Sequence, residues 1–262
     1  QVNALKRGVD VLVATPGRLL DLMQQGHIHL HEVEIFVLDE VDRMLDMGFI
    51  PDIKRVLGKL PCERQTLFFS ATMPPKMEEL ARTMVRNPVR VAIAPDEPTL
   101  KSITQKVLFV GQPDKSALLV SLLNELPASK VLIFTQMKHA ANKVAKTMEQ
   151  AGIRSTAIHG NKTQAARTRA LDGFKRGRFQ VLVATDVAAR GLDVDDITHV
   201  INYDLPMEAE TYVHRIGRTA RAGMDGNAIS FCSAEDRALL RDIERLLGQP
   251  VPAEMEHPFH CE

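Results

Sequence analysis

Three carboxylates follow a short apolar run near the start of the chain. Residues 35–38 are Ile-Phe-Val-Leu, and Asp39, Glu40 and Asp42 come directly after them. A continuous apolar run bounded by polar residues is typical of a buried parallel strand, and open α/β sheets bind ligands beyond the carboxyl ends of their strands. At such an end one carboxylate could hold Mg²⁺ and the next could orient a water molecule. The alternative is that Asp39 or Asp42 only caps the helix that starts near Arg43.

A second predicted strand end, in the other half of the chain, carries a similar cluster. The apolar residues 181–184 lead into residues 185–193, which bring a hydroxyl, carboxylates, a guanidinium group and a glycine together. A nucleotide ribose needs a carboxylate acceptor, and a phosphate backbone needs hydroxyl or backbone N–H donors. The alternative interpretation is a polar connection between a strand and a helix.

Three arginines further along recur at every third position, as Arg215, Arg218 and Arg221. On a helix, residues three apart lie on neighbouring turns, so the three guanidinium groups could share one flank and bind phosphate oxygens. A solvated basic face is the alternative. Gly217 weakens that alternative, because glycine inside a helix costs about 1 kcal/mol relative to alanine. We therefore expect another group to approach closely at Gly217.

The order of elements predicts an α/β fold with two parallel-sheet domains. In the first half, strand signals at 9–14, 35–38, 65–69 and 89–93 alternate with helices. In the second half, strand signals at 104–110, 130–134, 155–158, 179–184, 198–203 and 227–231 alternate with helix signals at 115–126, 138–150, 164–175, 209–220 and 235–247. Such alternation is typical of parallel sheets. We predict a first domain at 1–94, a linker at 95–104, a second domain at 105–248 and a loosely held tail at 249–262.

Composition limits the possible classes of protein. Lys and Arg number 33, as do Asp and Glu, so any nucleic-acid surface has to be a local patch. Three scattered cysteines without metal-ligand spacing indicate a reduced, cytoplasmic setting. No apolar run approaches the roughly 18 residues of a membrane span, so we expect no membrane partner.

Seven motifs in this order resemble those of the DEAD-box ATP-dependent RNA helicases. They are TPGR at 15–18, DEVD at 39–42, SAT at 70–72, VLIFTQ at 131–136, QAAR at 164–167, ATDVAARGLD at 184–193 and HRIGRTAR at 214–221. The resemblance covers nearly the whole chain. It implies two RecA-like domains, the first incomplete, joined by a flexible linker, with ATP in the cleft and RNA across both domains.

The resemblance also implies a role for each matching position. Asp39 would coordinate the Mg²⁺ of ATP, Glu40 would position or activate the attacking water, and Arg218 and Arg221 would reach the γ-phosphate. Coupling between nucleotide and RNA is implied for Asp42, Ser70, Thr72, His214 and Arg215, and nucleotide binding for Gly191 and Asp193. RNA-backbone contacts are implied for Thr15, Pro16, Gly17, Arg18, Gly160, Gln164, Arg167, Thr185, Asp186 and Arg190.

Two departures from the family pattern bear on activity. Val41 stands where the family usually has alanine, so two extra methyl groups have to fit at a packed strand end. The chain contains no G-x-x-x-x-G-K-[ST] sequence and no upstream adenine-recognition segment. We therefore expect ATPase activity of this chain to be absent or impaired, with weak ATP and Mg²⁺ binding. An incomplete first sheet would also expose strand edges, which predicts self-association.

Two other functions stay open. The chain could bind RNA without ATP, or act as a scaffold, through the motifs of its second domain. A metal-dependent hydrolase is the other alternative, because His27, His29 and His31 alternate along the chain and could join the DEVD carboxylates. Lone surface histidines are the simpler explanation of that short tract.

Overall fold

Parallel strands alternate with helices in both halves of the chain, as the apolar runs predict. The computed structural model describes residues 1–70, 73, 75–92, 102–126, 129–189, 194, 196–221 and 224–261. Contacts between residues divide the chain into two units, Gln1–Ala92 and Ile93–Glu262. The predicted linker at 95–104 falls at the start of the second unit, and most of it lies outside the described residues.

The first unit packs helices against a two-stranded parallel sheet. Its elements are α1 (Val2–Leu5), α2 (Pro16–Gln24), β1 (Ile35–Leu38), α3 (Val41–Asp46), α4 (Ile50–Leu57), β2 (Gln65–Phe68) and α5 (Pro75–Met84). Strands β1 and β2 run parallel, with Leu38 opposite Phe68. Buried side chains of β1, α3, α4 and α5 form one apolar cluster. This cluster holds the carboxyl end of β1 against the three helices.

Two of the strands predicted for the first half are not formed, so this prediction was wrong. Residues 9–14 and 89–92 are irregular, and the side chains of Val11, Val13, Val89 and Val91 are 80, 92, 90 and 82% exposed. A strand needs a neighbour that accepts and donates its ladder hydrogen bonds. Within the described part of this unit only β1 and β2 pair, so apolar alternation alone does not form a strand there.

The second unit is built on a seven-stranded sheet. Its elements are β3 (Ile103–Phe109), α6 (Lys115–Asn124), β4 (Val131–Phe134), α7 (Lys138–Gln150), β5 (Ser155–Ile158), α8 (Gln164–Lys175), β6 (Val181–Ala184), α9 (Asp186–Ala189), β7 (His199–Asn202), α10 (Ala209–Ile216), β8 (Gly226–Cys232), a 3₁₀ turn (Ala234–Asp236), α11 (Arg237–Leu247) and β9 (Ala253–Glu254). The strand order is β5-β6-β4-β7-β8-β3-β9, and every pairing is parallel.

Burial explains why these residues form a parallel sheet. Every residue of β4 and β6 is buried, because helices cover both faces of the central strands. Helix α7 buries Ala141, Val144, Ala145 and Met148, which recur at the three- and four-residue spacing of one helix face. Gly248 ends α11 with φ of 68°, a conformation that glycine adopts without steric cost.

The segment after Gly248 packs against the sheet, which differs from the loosely held tail expected from its prolines. Strand β9 adds to the edge of β3, and His260 forms a bridge with Val110. Val251 is buried in the core, and Phe259 packs against a second apolar cluster. A free edge of β3 and exposed apolar surface explain this docking, and neither is visible in the local composition of the tail.

The register of the parallel strands in the second unit brings the segments that follow β4, β5, β6 and β7 to one edge of the sheet. Phe134 lies opposite Ala184 and Asn202, and Ala184 lies opposite Ile158. The residues that follow β4, β5, β6 and β7 therefore line up at the carboxyl edge. This is the edge at which open α/β sheets bind ligands.

Candidate functional site

The carboxylates after β1 lie on the surface of the first unit. Asp39 and Glu40 are both exposed. Asp39 Oδ1 accepts a hydrogen bond of 2.9 Å from the Glu40 N–H, and Glu40 pairs with Arg43. Glu40 has φ of 52° and ψ of 47°, a left-handed conformation that is uncommon outside glycine and concentrates at functional sites.

The capping alternative is not supported for Asp39. The residue that caps α3 is Glu40, and its side chain makes no capping hydrogen bond. Asp42 is 6% exposed and accepts a 2.9 Å hydrogen bond from the Arg43 N–H through Oδ1. Asp39 therefore lies at the end of β1 without capping α3, and its Oδ1 accepts the hydrogen bond from the Glu40 N–H.

Val41, which replaces the usual alanine, fits the core of the first unit. Its side chain is fully buried in a cluster with Leu38, Ile53 and Met77. Its backbone N–H donates to the Phe69 carbonyl at 3.1 Å, which ties the segment to the end of β2. The extra methyl groups therefore fill space in this protein.

The TPGR segment begins a helix whose first turn faces solvent. Thr15 is the N-cap of α2 in an extended conformation, and its side chain makes no capping hydrogen bond. Gly17 has no atom within 4 Å of where a Cβ would lie. Arg18 is exposed and contacts Gln1 and Asp21. Free N–H groups at a helix start suit an anion such as a phosphate.

Ser70, the first residue of the SAT motif, is half-buried just beyond β2.

Arg215 occupies the centre of the carboxyl edge of the second sheet. The residue is 1% exposed, and its Nε and Nη2 donate to the two oxygens of Asp186 at 2.6 and 2.8 Å. Its Nη1 donates to Asn202 Oδ1 at 3.1 Å and to the Asp204 carbonyl at 2.6 Å. The guanidinium carbon lies 5.0 Å from the centre of the Phe134 ring. This bidentate pair, formed by a buried guanidinium group and a partly exposed carboxylate, fixes the residues after β6 to helix α10.

The prediction that three arginines share a helix flank was wrong. Helix α10 ends at Ile216, and Gly217 is its C-cap, not an interior residue. Arg215 points into the core, whereas Arg218 and Arg221 follow in the turn beyond the helix. A Cβ on Gly217 would lie 3.2 Å from the Val213 carbonyl, so the close neighbour is the preceding turn of the same helix.

The turn that carries Arg218 and Arg221 is anchored by Thr219. This side chain is fully buried, and its Oγ1 donates to the Ile197 carbonyl at 2.6 Å. A Cβ on Gly226 would lie 2.4 Å from the same Oγ1, so only glycine fits opposite it. Ala220 has φ of 55°, a strained conformation for alanine.

His214, which precedes this turn, is exposed on the last turn of α10.

Helix α8 begins beside the end of β5 and carries further sequence-predicted residues. Thr163 caps the helix by accepting the Ala166 N–H, Gly160 and Gln164 are exposed, and Arg167 is half-buried. Among the described residues, Arg167 Nε is buried without a hydrogen-bond partner, and so is His159 Nδ1. Burial and the charges of Lys162 and Lys138 hold the pKa of His159 below its usual value. Thr185 is buried at the end of β6, and Asp186 is held by Arg215.

Several predicted site residues lie outside the described residues, namely Thr72, Arg190, Gly191 and Asp193. Other residues of the site were missed by sequence reasoning. Asn202, Asp204 and Phe134 all contact Arg215, yet only Phe134 lies in a recognised motif. The signal that could have found Asn202 and Asp204 is their position at the end of a predicted strand.

The described residues offer neither a metal cluster nor a membrane-spanning helix. The part of the chain that the structure describes contains no group of three or more His, Cys, Asp or Glu side chains placed to hold a metal ion. The metal-hydrolase alternative based on His27, His29 and His31 therefore has no geometric support. Among the described helices, none is both long and apolar enough to cross a membrane.

The fold and the residues at the strand ends indicate a class of protein that binds phosphate-containing ligands. Parallel α/β units that present hydroxyl, carboxylate and guanidinium groups at the carboxyl ends of their strands are suited to phosphate-containing ligands. The comparisons with known proteins then identify the family. A family model described as DEAD/DEAH box helicase matches residues 1–80, and one described as helicase conserved C-terminal domain matches residues 114–223.

Individual relatives agree with these matches. DEAD-box ATP-dependent RNA helicase 30 of Arabidopsis thaliana is 45% identical over 96% of this chain and 44% of the relative. A structure of S. cerevisiae Dbp5 bound to RNA and ADP BeF3 is 34% identical, covers 92% of this chain and 65% of that one, and has a TM-score of 0.81. A hypothetical ATP-dependent RNA helicase from Sulfolobus tokodaii is 35% identical, with 93% and 70% of the two chains covered and a TM-score of 0.52.

This chain belongs to the DEAD-box ATP-dependent RNA helicase family. Its two α/β units are RecA-like, as the resemblance implied. The chain spans less than half the length of the two curated relatives described as DEAD-box ATP-dependent RNA helicases 30 and 21, 44% and 37% respectively.

Proposed function

We propose that this chain is the RNA-binding and coupling part of an ATP-dependent RNA helicase that separates short duplexes locally. The observation that carries the proposal is the carboxyl edge of the second sheet. Arg167 and His159 each keep a buried nitrogen without a partner among the described residues, next to the exposed Gly160 and the start of α8. The Arg167 Nε–H is a buried donor, which is costly to leave unpaired, and a phosphate oxygen would satisfy it. His159 donates through Nε2 to Asn142 Oδ1 at 3.0 Å, so its Nδ1 is an acceptor and would need a hydroxyl donor instead.

RNA is the proposed partner, and its backbone is the part that is contacted. The candidate groups are N–H donors, a hydroxyl and guanidinium groups, which hold a strand without reading its sequence. The helix start at Thr15–Arg18 would supply a second contact, and Gly17 has open space where a backbone could approach. The Dbp5 structure bound to RNA supports the choice of ligand for a related chain.

ATP and Mg²⁺ are the proposed cofactors, and the described residues fit part of their site. Mg²⁺ usually keeps several waters and takes one or two carboxylates together with phosphate oxygens, and the exposed Asp39 can supply such a carboxylate. When bound, Mg²⁺ neutralises charge on the transferring phosphate. Glu40 would orient the attacking water, and Arg218 and Arg221 would contact the phosphate. We propose low ATPase activity for the chain alone, because its sequence contains no Walker A motif.

A binding experiment tests the RNA proposal. Arg167 and Arg169 lie on the same helix and carry the same charge, but Arg169 is exposed. Arg167→Ala is expected to weaken binding of a single-stranded RNA and to reduce the slope of log K against log salt by about 0.7, one phosphate contact. Arg169→Ala is the matched control, and we expect it to change neither the RNA affinity nor the salt slope by much. Equal effects of the two variants would contradict a specific site at Arg167.

A second candidate function of this chain by itself is RNA binding without ATP hydrolysis, since the 262 residues contain no Walker A motif. RNA-stimulated ATP hydrolysis separates the two, measured beside an Asp39→Ala/Glu40→Ala variant. Hydrolysis that the variant abolishes supports the enzyme. Absent hydrolysis together with Arg167-dependent RNA binding supports the binding function.

Two smaller proposals concern the setting of the protein. We propose a cytoplasmic location, supported by three free cysteines in the described structure, and subcellular fractionation tests it. We also propose self-association through the first unit. Its support is the exposed Ile35 and Val37 on β1, together with the exposed valines of residues 9–13 and 89–91. A monodisperse monomer in sedimentation across a concentration series would rule out the second proposal.

A further inference from the structure

A lysine outside every motif is fully buried next to the site. Lys115, the first residue of α6, has no exposed side-chain surface. Its Nζ lies 3.4 Å from Asp204 Oδ1 and 3.3 Å from Asp236 Oδ2, and 5.7 Å from the centre of the Tyr203 ring. A buried ammonium group is costly unless it is paired, so this lysine needs both carboxylates.

Asp204 joins this lysine to the centre of the site. Its backbone carbonyl accepts from Arg215 Nη1 at 2.6 Å, and its Oδ2 accepts from the Gln136 N–H at 3.1 Å. Gln136 in turn donates through Nε2 to the Leu205 carbonyl at 2.8 Å. One aspartate therefore holds the ends of β4 and β7 together and also presents an acceptor to Arg215.

The second carboxylate belongs to a separate element of the same edge. Asp236 Oδ2 accepts from the Ser233 N–H and Oγ at 3.2 and 2.7 Å, and Ser233 and Asp236 form a capping box after β8. Lys115 thus bridges the ends of β7 and β8 through two carboxylates that are 19 and 16% exposed. Without the ammonium group, these two negative charges would face each other in a poorly solvated site and push Asp204 away.

We propose that Lys115 is a positioning residue for the RNA site. It holds Asp204 in place, Asp204 holds Arg215, and Arg215 holds Asp186 at the end of β6. Because its side chain is fully buried, Lys115 acts through Asp204 and not by direct contact with a ligand. The inference rests on the proposed function, because it gives the network a role in RNA binding.

The first test measures the network without RNA. In a ¹⁵N-labelled chain, the Arg215 Nε–H is expected to exchange slowly with solvent, since it is buried against Asp186. Lys115→Met should speed that exchange by about tenfold or more, as expected when a protected group opens more often. Lys115→Met/Asp236→Asn restores the net charge of the cluster and should recover most of the protection, whereas a lost packing contact would not recover.

A control removes another lysine–aspartate pair, which is partly exposed. Lys130 Nζ lies 2.6 Å from Asp196 Oδ2 at the start of β4, the opposite edge of the sheet, and its side chain is 14% exposed. Lys130→Met should leave Arg215 exchange unchanged. If Lys115→Met fails to fold, Asp204→Asn tests the same link, because it removes the ion pair that holds Asp204 while Lys115 keeps Asp236, and Arg215 exchange should again become faster.

The second test measures RNA affinity at fixed salt. Lys115→Met should raise the Kd by about fivefold, within the usual range of coupling between contacting groups, and Lys130→Met should not. Unchanged Arg215 exchange in Lys115→Met would overturn the inference, and so would unchanged affinity in a chain whose wild type binds RNA. Failure of the wild type to bind RNA would instead overturn the proposed function, and the exchange experiment would still decide what Lys115 holds.

Discussion

The ion pair between the buried Arg215 and the partly exposed Asp186 gives the sharpest prediction for the second unit. Asp186→Ala leaves a guanidinium group that is 1% exposed without its bidentate partner. Breaking a fully buried pair costs about 3–5 kcal/mol. Asp186 is 29% exposed, and Arg215 keeps Asn202 and the Asp204 carbonyl as acceptors, so we expect a loss of about 3 kcal/mol in the free energy of unfolding, at the low end of that range.

The chain provides a selective probe for this measurement. It has no tryptophan and two tyrosines, and both of these, Tyr203 and Tyr212, lie in the second unit. Tyrosine fluorescence during urea denaturation therefore follows that unit alone. Arg215→Met/Asp186→Ala should be more stable than Asp186→Ala, because no buried charge is left unpaired.

A control carboxylate separates this effect from a general loss of charge. Asp196 pairs with Lys130 and its side chain is 62% exposed, so Asp196→Ala should cost less than about 1 kcal/mol. The reasoning is refuted if Asp186→Ala costs no more than Asp196→Ala. It is also refuted if removal of Arg215 brings no recovery.

Three further predictions concern single positions. Val41→Ala should destabilise the first unit by about 2 kcal/mol, because two buried methyl groups leave a cavity; circular dichroism during denaturation measures this, and an unchanged midpoint would contradict the packing of Val41. Ala220→Gly should stabilise the second unit by about 1 kcal/mol, since glycine relieves the left-handed strain, and a loss in tyrosine-monitored stability would contradict it. The pKa of His159 is lowered in the folded chain by burial and two lysines, so its contribution to stability is complete above about pH 6.5 and is lost as pH falls through the folded-state pKa. His159→Gln should therefore flatten the fall in stability below about pH 6.5 relative to wild type, and an unchanged profile would contradict the lowered pKa of His159.

The elements of the second unit could be predicted closely from the sequence. Strand β5 and helices α7 and α8 begin and end where the apolar runs and the glycines predict. The reason is that most residues of β5 and one face of each helix are buried, so burial and sequence pattern agree. In the first unit the pattern at residues 9–14 and 89–92 misled, because strand formation depends on a pairing partner and not only on the alternation of apolar residues.

The motifs of the site were also readable from the sequence, because catalysis and phosphate binding demand particular residue types at strand ends. Where their side chains lie was decided by the tertiary structure. Arg215 has the same residue type and spacing as Arg218 and Arg221, but it lies on the buried face of α10 against Asp186, whereas α10 ends before the other two arginines. Lys115 carries no local signal at all. Its role depends on carboxylates 89 and 121 residues away, which only the register of the sheet brings together, and a buried charge has to find its partners wherever the fold places them.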